Sequence, residues 1–173
     1  MKTFTKGLSV ALLLSMSFSA QAQKHVHGEG ELLIAQEGGV LQMQFIIPAA
    51  DALGFEHQVA SSADKNTIDV LAQQLKNSSR AIDINGQCIL QSTENSLAHS
   101  YDEHDEHDEH DEHHHHNVEA TYNFNCKTAV LGFSVTLFKL MPSLNALNVQ
   151  WISNAGQGST EVTRNNPVIS WQS

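Results

Sequence analysis

Positive charge is scarce in this chain, which carries 9 lysines and arginines against 19 acids and a formal charge of −10 over 173 residues. Such a balance is repelled by phosphate backbones and anionic lipid surfaces, so it excludes nucleic-acid binding and basic membrane docking and leaves cations as natural partners. Long apolar runs are missing too. The longest, Leu8 to Phe18, has 11 residues, well short of the roughly 20 that a membrane-spanning helix needs. Aromatic residues make up only 6%. Catalytic signatures are also lacking: there is no His-Glu-x-x-His zinc-hydrolase motif, no Gly-x-Ser-x-Gly elbow and no glycine-rich phosphate loop. His27-Gly28-Glu29 has no Pro-Cys-x-x-Cys companion of the kind a deaminase requires. These absences argue for a binding protein, not an enzyme.

The N-terminus reads as an address. Lys2 and Lys6 precede the apolar run, and Ala20-Gln21-Ala22 supplies a small-x-small cleavage pattern, so residues 1–22 are expected to be a secretory signal peptide. The expected mature protein, 23–173, is one periplasmic domain that is not embedded in the membrane. In an exported chain the only two cysteines, Cys88 and Cys126, are expected to oxidise to one disulfide. The alternative is a reduced thiolate pair on a metal. Closing a loop of this length stabilises by about 4 kcal/mol in the chain-entropy account.

Periodicity outlines the fold. Leu41 to Ile47 alternates with a period of two, the pattern of a strand with one buried face, and Glu37-Gly38-Gly39 supplies a turn after the strand Glu29 to Gln36, so the two segments read as a hairpin. Pro48 ends the second strand, and Asp51 to His57 is expected to be irregular. From Ser61 to Lys76 the period lengthens. Ile68, Leu71, Ala72 and Leu75 share one helical face, with Ser61 as cap and Asp64 three residues on. Asn85-Gly86 between Ala81 to Ile84 and Gln87 to Gln91 predicts a second hairpin. Strand patterns recur in Val118 to Cys126, Leu131 to Leu137, Leu147 to Trp151, Gln157 to Thr163 and Val168 to Trp171. The fold class expected is α+β: a single domain dominated by antiparallel sheet, sandwich-like, with one amphipathic helix. If Gln87 to Gln91 pairs antiparallel with Thr121 to Cys126, the disulfide is cross-strand and ties the base of a long hairpin.

Histidine is abundant, with 11 in the chain. Eight of the nineteen acids lie between Asp102 and Glu112, interleaved with histidine in Asp-Glu-His repeats. The run comprises His99, His104, His107, His110, His113, His114, His115 and His116. Neutral imidazole nitrogen and carboxylate oxygen both suit divalent first-row metals. A repeat of three dictates no single rigid site, and no apolar residue separates Tyr101 from Val118, so 98–117 is expected to be a disordered loop with several exchangeable sites. The plain alternative is a solvated acidic linker. A second group is His25-Val26-His27, whose imidazoles share a face if the segment is extended. A third is Glu56-His57 after Gly54-Phe55. Should folding bring His57 to His25 and His27, three nitrogens and the Glu56 carboxylate could complete a tetrahedral zinc site.

The signal peptide, His25, His27 and Gly28 leading into a strand, Phe45 and Pro48, the run Gly54-Phe55-Glu56-His57, the His/Asp/Glu insertion, and Leu147 to Ile152 followed by Gly156-Gln157-Gly158 together resemble the ZrgA-type family of zinc-regulated periplasmic proteins. Val59 stands where members often carry proline. The resemblance implies capture of Zn2+, more than one ion per chain, in support of high-affinity uptake through an inner-membrane zinc transporter. Two other functions fit the residues: buffering or delivery of Cu2+ or Ni2+, and a non-enzymatic interaction module that responds to pH as its histidines charge.

Overall fold

The computed structural model describes residues 26–84, 86–99 and 117–170. Both the expected signal peptide and the Asp-Glu-His repeats lie outside the described residues. Among the described residues nine strands form two sheets. The larger has six strands: β1 (Glu29–Glu37), β2 (Val40–Pro48), β4 (Cys88–Asn95), β5 (Asn117–Cys126), β7 (Ala146–Ser153) and β8 (Gly156–Thr163), in the order β4-β5-β2-β1-β7-β8. The smaller joins β3 (Ile82–Ile84), β6 (Gly132–Val135) and β9 (Val168–Ser170) in the order β3-β6-β9. The described residues also form two α-helices, α1 (Ala49–Leu53) and α2 (Ser62–Leu75), and three short 3-10 helices. The fold is mostly β, as the alternation predicts.

Alternation sets the register. Leu32 and Ile34 of β1 point inward beside Leu41, Met43, Phe45 and Ile47 of β2, and Val118, Ala120, Tyr122 and Phe124 of β5 continue the same face. Ile82, Phe133, Val135 and Ile169 of the smaller sheet belong to the same buried cluster, as do Leu71 and Leu75 of α2. The Tyr122 hydroxyl donates to the Leu75 carbonyl at 2.8 Å, fastening α2 to the inner face of β5. Burial pushes the Tyr122 phenol above its ordinary value, because the phenolate would lose its water.

Ser61 and Asp64 form the capping box expected of them: the Ser61 hydroxyl accepts the Asp64 N–H, and the Asp64 carboxylate accepts the Ser61 N–H, each at 3.0 Å. The disulfide joins Cys88 to Cys126, which face each other directly across the antiparallel β4–β5 pair. The β4–β5 pair is therefore joined covalently at one end and by a sheet ladder along its length.

Three expectations are corrected. The Asn85-Gly86 hairpin does not form, since β3 pairs with β6 and β4 with β5, in different sheets; the pairing of β4 with β5 sets the half-buried Leu90 against Phe124, a non-local gain that outweighs the local turn signal. The stretch after Pro48 is not wholly irregular, because α1 begins there and ends at Gly54, whose φ of 85° makes the left-handed cap that glycine adopts without strain. Finally, β1 runs parallel to β7, so the larger sheet is mixed. The pairing places Trp151 of β7 opposite Gly158 of β8, whose missing side chain leaves room for the indole ring.

Candidate metal centre

His27 occupies the exposed corner of a turn in which the Glu29 N–H donates to the Val26 carbonyl at 3.1 Å. Gly28, next in the turn, has a φ of 85°, a conformation that side chains strain against. Two segments grip this glycine with three hydrogen bonds. Its N–H donates to Asp51 Oδ2 at 2.9 Å, and its carbonyl accepts the N–H groups of Asn145 at 2.8 Å and Ala146 at 3.0 Å. A Cβ there would sit 2.9 Å from the Asn145 amide nitrogen, too close without displacement. The segment behind Asn145 is itself tied down, because the Arg164 guanidinium donates to the carbonyls of Phe138, Met141, Pro142 and Leu144 and lies 5.8 Å from the Phe138 ring centroid. Sequence, turn and packing thus converge on one result: the backbone that carries His27 is fixed.

Asp51 lies in α1 and is only 5% exposed, which is unusual for a carboxylate unless it is hydrogen bonded. No residue in the His-rich patterns points to it. The available signals were the proline before a short helix and an acid in the first turn.

Beyond α1, the chain turns at Gly54 and presents Phe55, Glu56 and His57. The His57 ring stacks on Phe55 at 4.8 Å between centroids. Its Nδ1 lies 2.9 Å from the Gln58 carbonyl oxygen; a carbonyl can only accept, so Nδ1 carries a proton, and in the neutral ring it is Nε2 that holds the free lone pair. That is the usual arrangement of a metal-binding imidazole, oriented through its other nitrogen. The far end of this loop is anchored by the Ala60 N–H, which donates to Asp64 Oδ2 at 3.2 Å. The hydrogen bond from the Ser61 N–H, followed by those from the Ser61 hydroxyl and the Ala60 N–H, holds the Asp64 carboxyl below its ordinary range, and nearby His57 adds a smaller pull in the same direction.

His27, Glu56 and His57 are all exposed. Among the described residues, no group of three or more histidine, cysteine, aspartate or glutamate side chains is arranged to hold a metal ion. His25 lies outside the described residues, as do His104, His107, His110, His113, His114, His115 and His116. The backbone of His99 closes a short 3-10 helix, Ser96–His99, just after β4. The disulfide takes both sulfurs out of the ligand inventory, which removes the thiolate alternative. Among the described residues no helix is long and apolar enough to cross a membrane.

A family model described as ZrgA family zinc uptake protein matches residues 24–171. No curated protein matches the chain.

Proposed function

Since the chain belongs to the ZrgA family of zinc uptake proteins, we propose that it is exported to the periplasm, captures Zn2+ there as cargo and supports high-affinity uptake by an inner-membrane transporter. The family match over nearly the whole expected mature chain carries this reading. The disulfide accords with an oxidising compartment.

Capture has two parts in this proposal. The acidic, histidine-rich run from His99 to His116 draws divalent cations by charge and holds them in many shallow sites. His25, His27 and His57, with the Glu56 carboxylate, retain an ion more tightly. The geometry of His57 supports the second part, since an imidazole with its Nδ1 proton engaged has only Nε2 left to offer and offers it in a fixed direction. Two segments that carry imidazoles meet at the Gly28–Asp51 hydrogen bond, and Zn2+ with bonds of about 2.0 Å would draw the exposed rings of those segments together.

Calorimetric titration with zinc, comparing the oxidised 23–173 chain with one lacking Asp102 to His116, tests the division. A surviving tight site with reduced stoichiometry is expected. Loss of all binding would show that the folded part holds no site of its own and would remove His25, His27, Glu56 and His57 from the ligand set.

A further inference from the structure

We infer that Asp51 is a positioning residue for zinc: its buried carboxylate locks the turn that carries His27 to the helix that leads into His57, and so sets how the two imidazoles are presented. The inference rests on the ordered-site reading above and deepens it. Asp51 does not need to touch the ion. Its Oδ2 is occupied by the Gly28 N–H at 2.9 Å, across 23 residues of chain, and the group is 5% exposed.

The reach is short on both sides. His27 is covalently adjacent to the gripped glycine. His57 follows Asp51 by 6 residues, the first two steps inside α1 and the other four at most extended, so its Cα lies within about 20 Å of that of Asp51. The remaining grips on Gly28 come from Asn145 and Ala146 and join it to the sheet, whereas Asp51 alone ties it to the element that ends in the Gly54-Phe55-Glu56-His57 loop. The His57 loop is held at its other end by Asp64. Removing the Asp51 oxygen therefore leaves each histidine on its own anchor but loosens the coupling between them, and a site that depends on both loses affinity while the low-complexity run keeps its capacity.

The test uses the full mature, oxidised chain, with the tightest zinc affinity read by competition against a chromophoric chelator and total capacity read at saturation. Asp51→Ala is expected to weaken the tightest site by 10-fold or more, about the loss seen when the outer partner of a ligand is removed, with capacity reduced by no more than one ion. Asp51→Asn keeps an acceptor oxygen for the Gly28 N–H and is expected to stay within about 3-fold of the parent. Because a merely structural role would move stability alone, the melting temperature in chelator is recorded for each variant. If Asp51→Ala proves unfolded, Asp51→Glu, which shifts the oxygen by one methylene, is compared with Asp51→Asn instead; weaker zinc binding in the glutamate variant supports the inference and equal binding overturns it. Equal losses in the alanine and asparagine variants would overturn it as well, since they would point to the charge and not to the acceptor. Loss of tight binding in His57→Ala with none in Asp51→Ala would overturn the positioning role and leave the ordered site standing. Tight binding unchanged in both would instead remove the ordered site on which the inference rests.

Discussion

The segment around Gly28, Asp51 and His57 and the segment between Cys88 and Cys126 are built on opposite principles, although both are rich in potential ligands. In the first, each histidine is single, and the backbone beside it is specified: Gly28 is gripped at its N–H and its carbonyl, and the loop after α1 is fixed at Gly54 and Ala60. In the second, ligands repeat, so no one histidine is needed, and what the fold fixes is the frame, a disulfide across two paired strands. Position favours affinity because the ordering entropy of the ligands is met during folding. Repetition favours capacity and fast capture, since each shallow site can be refilled from its neighbours. An uptake protein has use for both, and in the function proposed they sit on separate parts of one chain.

The largest expected effect breaks the comparison at its frame. Replacing both cysteines, Cys88→Ala with Cys126→Ala, is expected to destabilise the chain by about 4 kcal/mol in denaturant unfolding, the enclosed loop having 38 residues of separation. Zinc capacity at saturation is expected to stay unchanged in the fraction that remains folded, because the ligands of the repeat do not depend on the sheet. A drop in capacity that parallels the drop in stability would mean that the repeat is organised by the fold after all.

Acid sharpens the same contrast. Only neutral imidazole ligates, and an unperturbed histidine has a pKa of about 6.5, so each required imidazole costs about 10-fold in affinity between pH 7.5 and pH 5.5. A tight site that needs at least two of its three imidazoles should lose about 100-fold or more, that is about 2.7 kcal/mol or more. Carboxylates still ionised at pH 5.5 let the acidic repeat keep part of its binding. Chelator competition across this range should therefore show the tightest class of site falling more steeply than the weak classes; parallel decline would assign both classes to the same kind of ligand.

A smaller effect comes from Gly28→Ala. A side chain at a φ of 85° and 2.9 Å from the Asn145 amide is strained and crowded, so about 1–2 kcal/mol of stability should be lost. The tightest zinc affinity should weaken with it, while the repeat binds as before. Unchanged affinity, measured by the same competition, would show that the placing of His27 does not matter to zinc.

What the sequence could reveal follows the same division of local from non-local causes. The β1–β2 hairpin and α2 were legible because their periods run for eight or more residues and their turn and cap residues are local. The cross-strand disulfide was legible because only one pairing was available. The 5-residue α1 was not, since it is too short for a helical period to register. The parallel pairing of β1 with β7 joins segments far apart in sequence and leaves no local trace, and the Asn85-Gly86 signal misled because each flanking strand found a better partner elsewhere. At the candidate site, imidazole chemistry singled out His27 and His57, but Asp51 has no histidine neighbour in sequence, and its importance appears only through the bond to Gly28.

The smallest predicted effect tests whether the ordered region extends to the cap of α2. Ser61→Ala removes one half of the capping box and should cost about 1 kcal/mol at neutral pH, read from the denaturant midpoint. Asp64 supplies the other half, and its carboxyl is held below the ordinary 3.8 chiefly by the hydrogen bond from the Ser61 N–H. A depressed carboxyl pKa contributes stability that is present above the unfolded value and disappears as pH falls through the lower folded one. The penalty of Ser61→Ala should accordingly shrink as pH falls through the folded value of Asp64, which lies below 3.8, because protonation removes the carboxylate half of the box in both proteins. Because the same Asp64 oxygen holds the Ala60 N–H at the end of the His57 loop, Asp64→Ala at neutral pH should loosen that loop and weaken the tightest zinc site by a few-fold, with no change in total capacity. Equal zinc affinity in this variant and the parent would place the boundary of the ordered centre before Ala60, and would leave Gly54 and the stacking of His57 on Phe55 as the features that fix the imidazole.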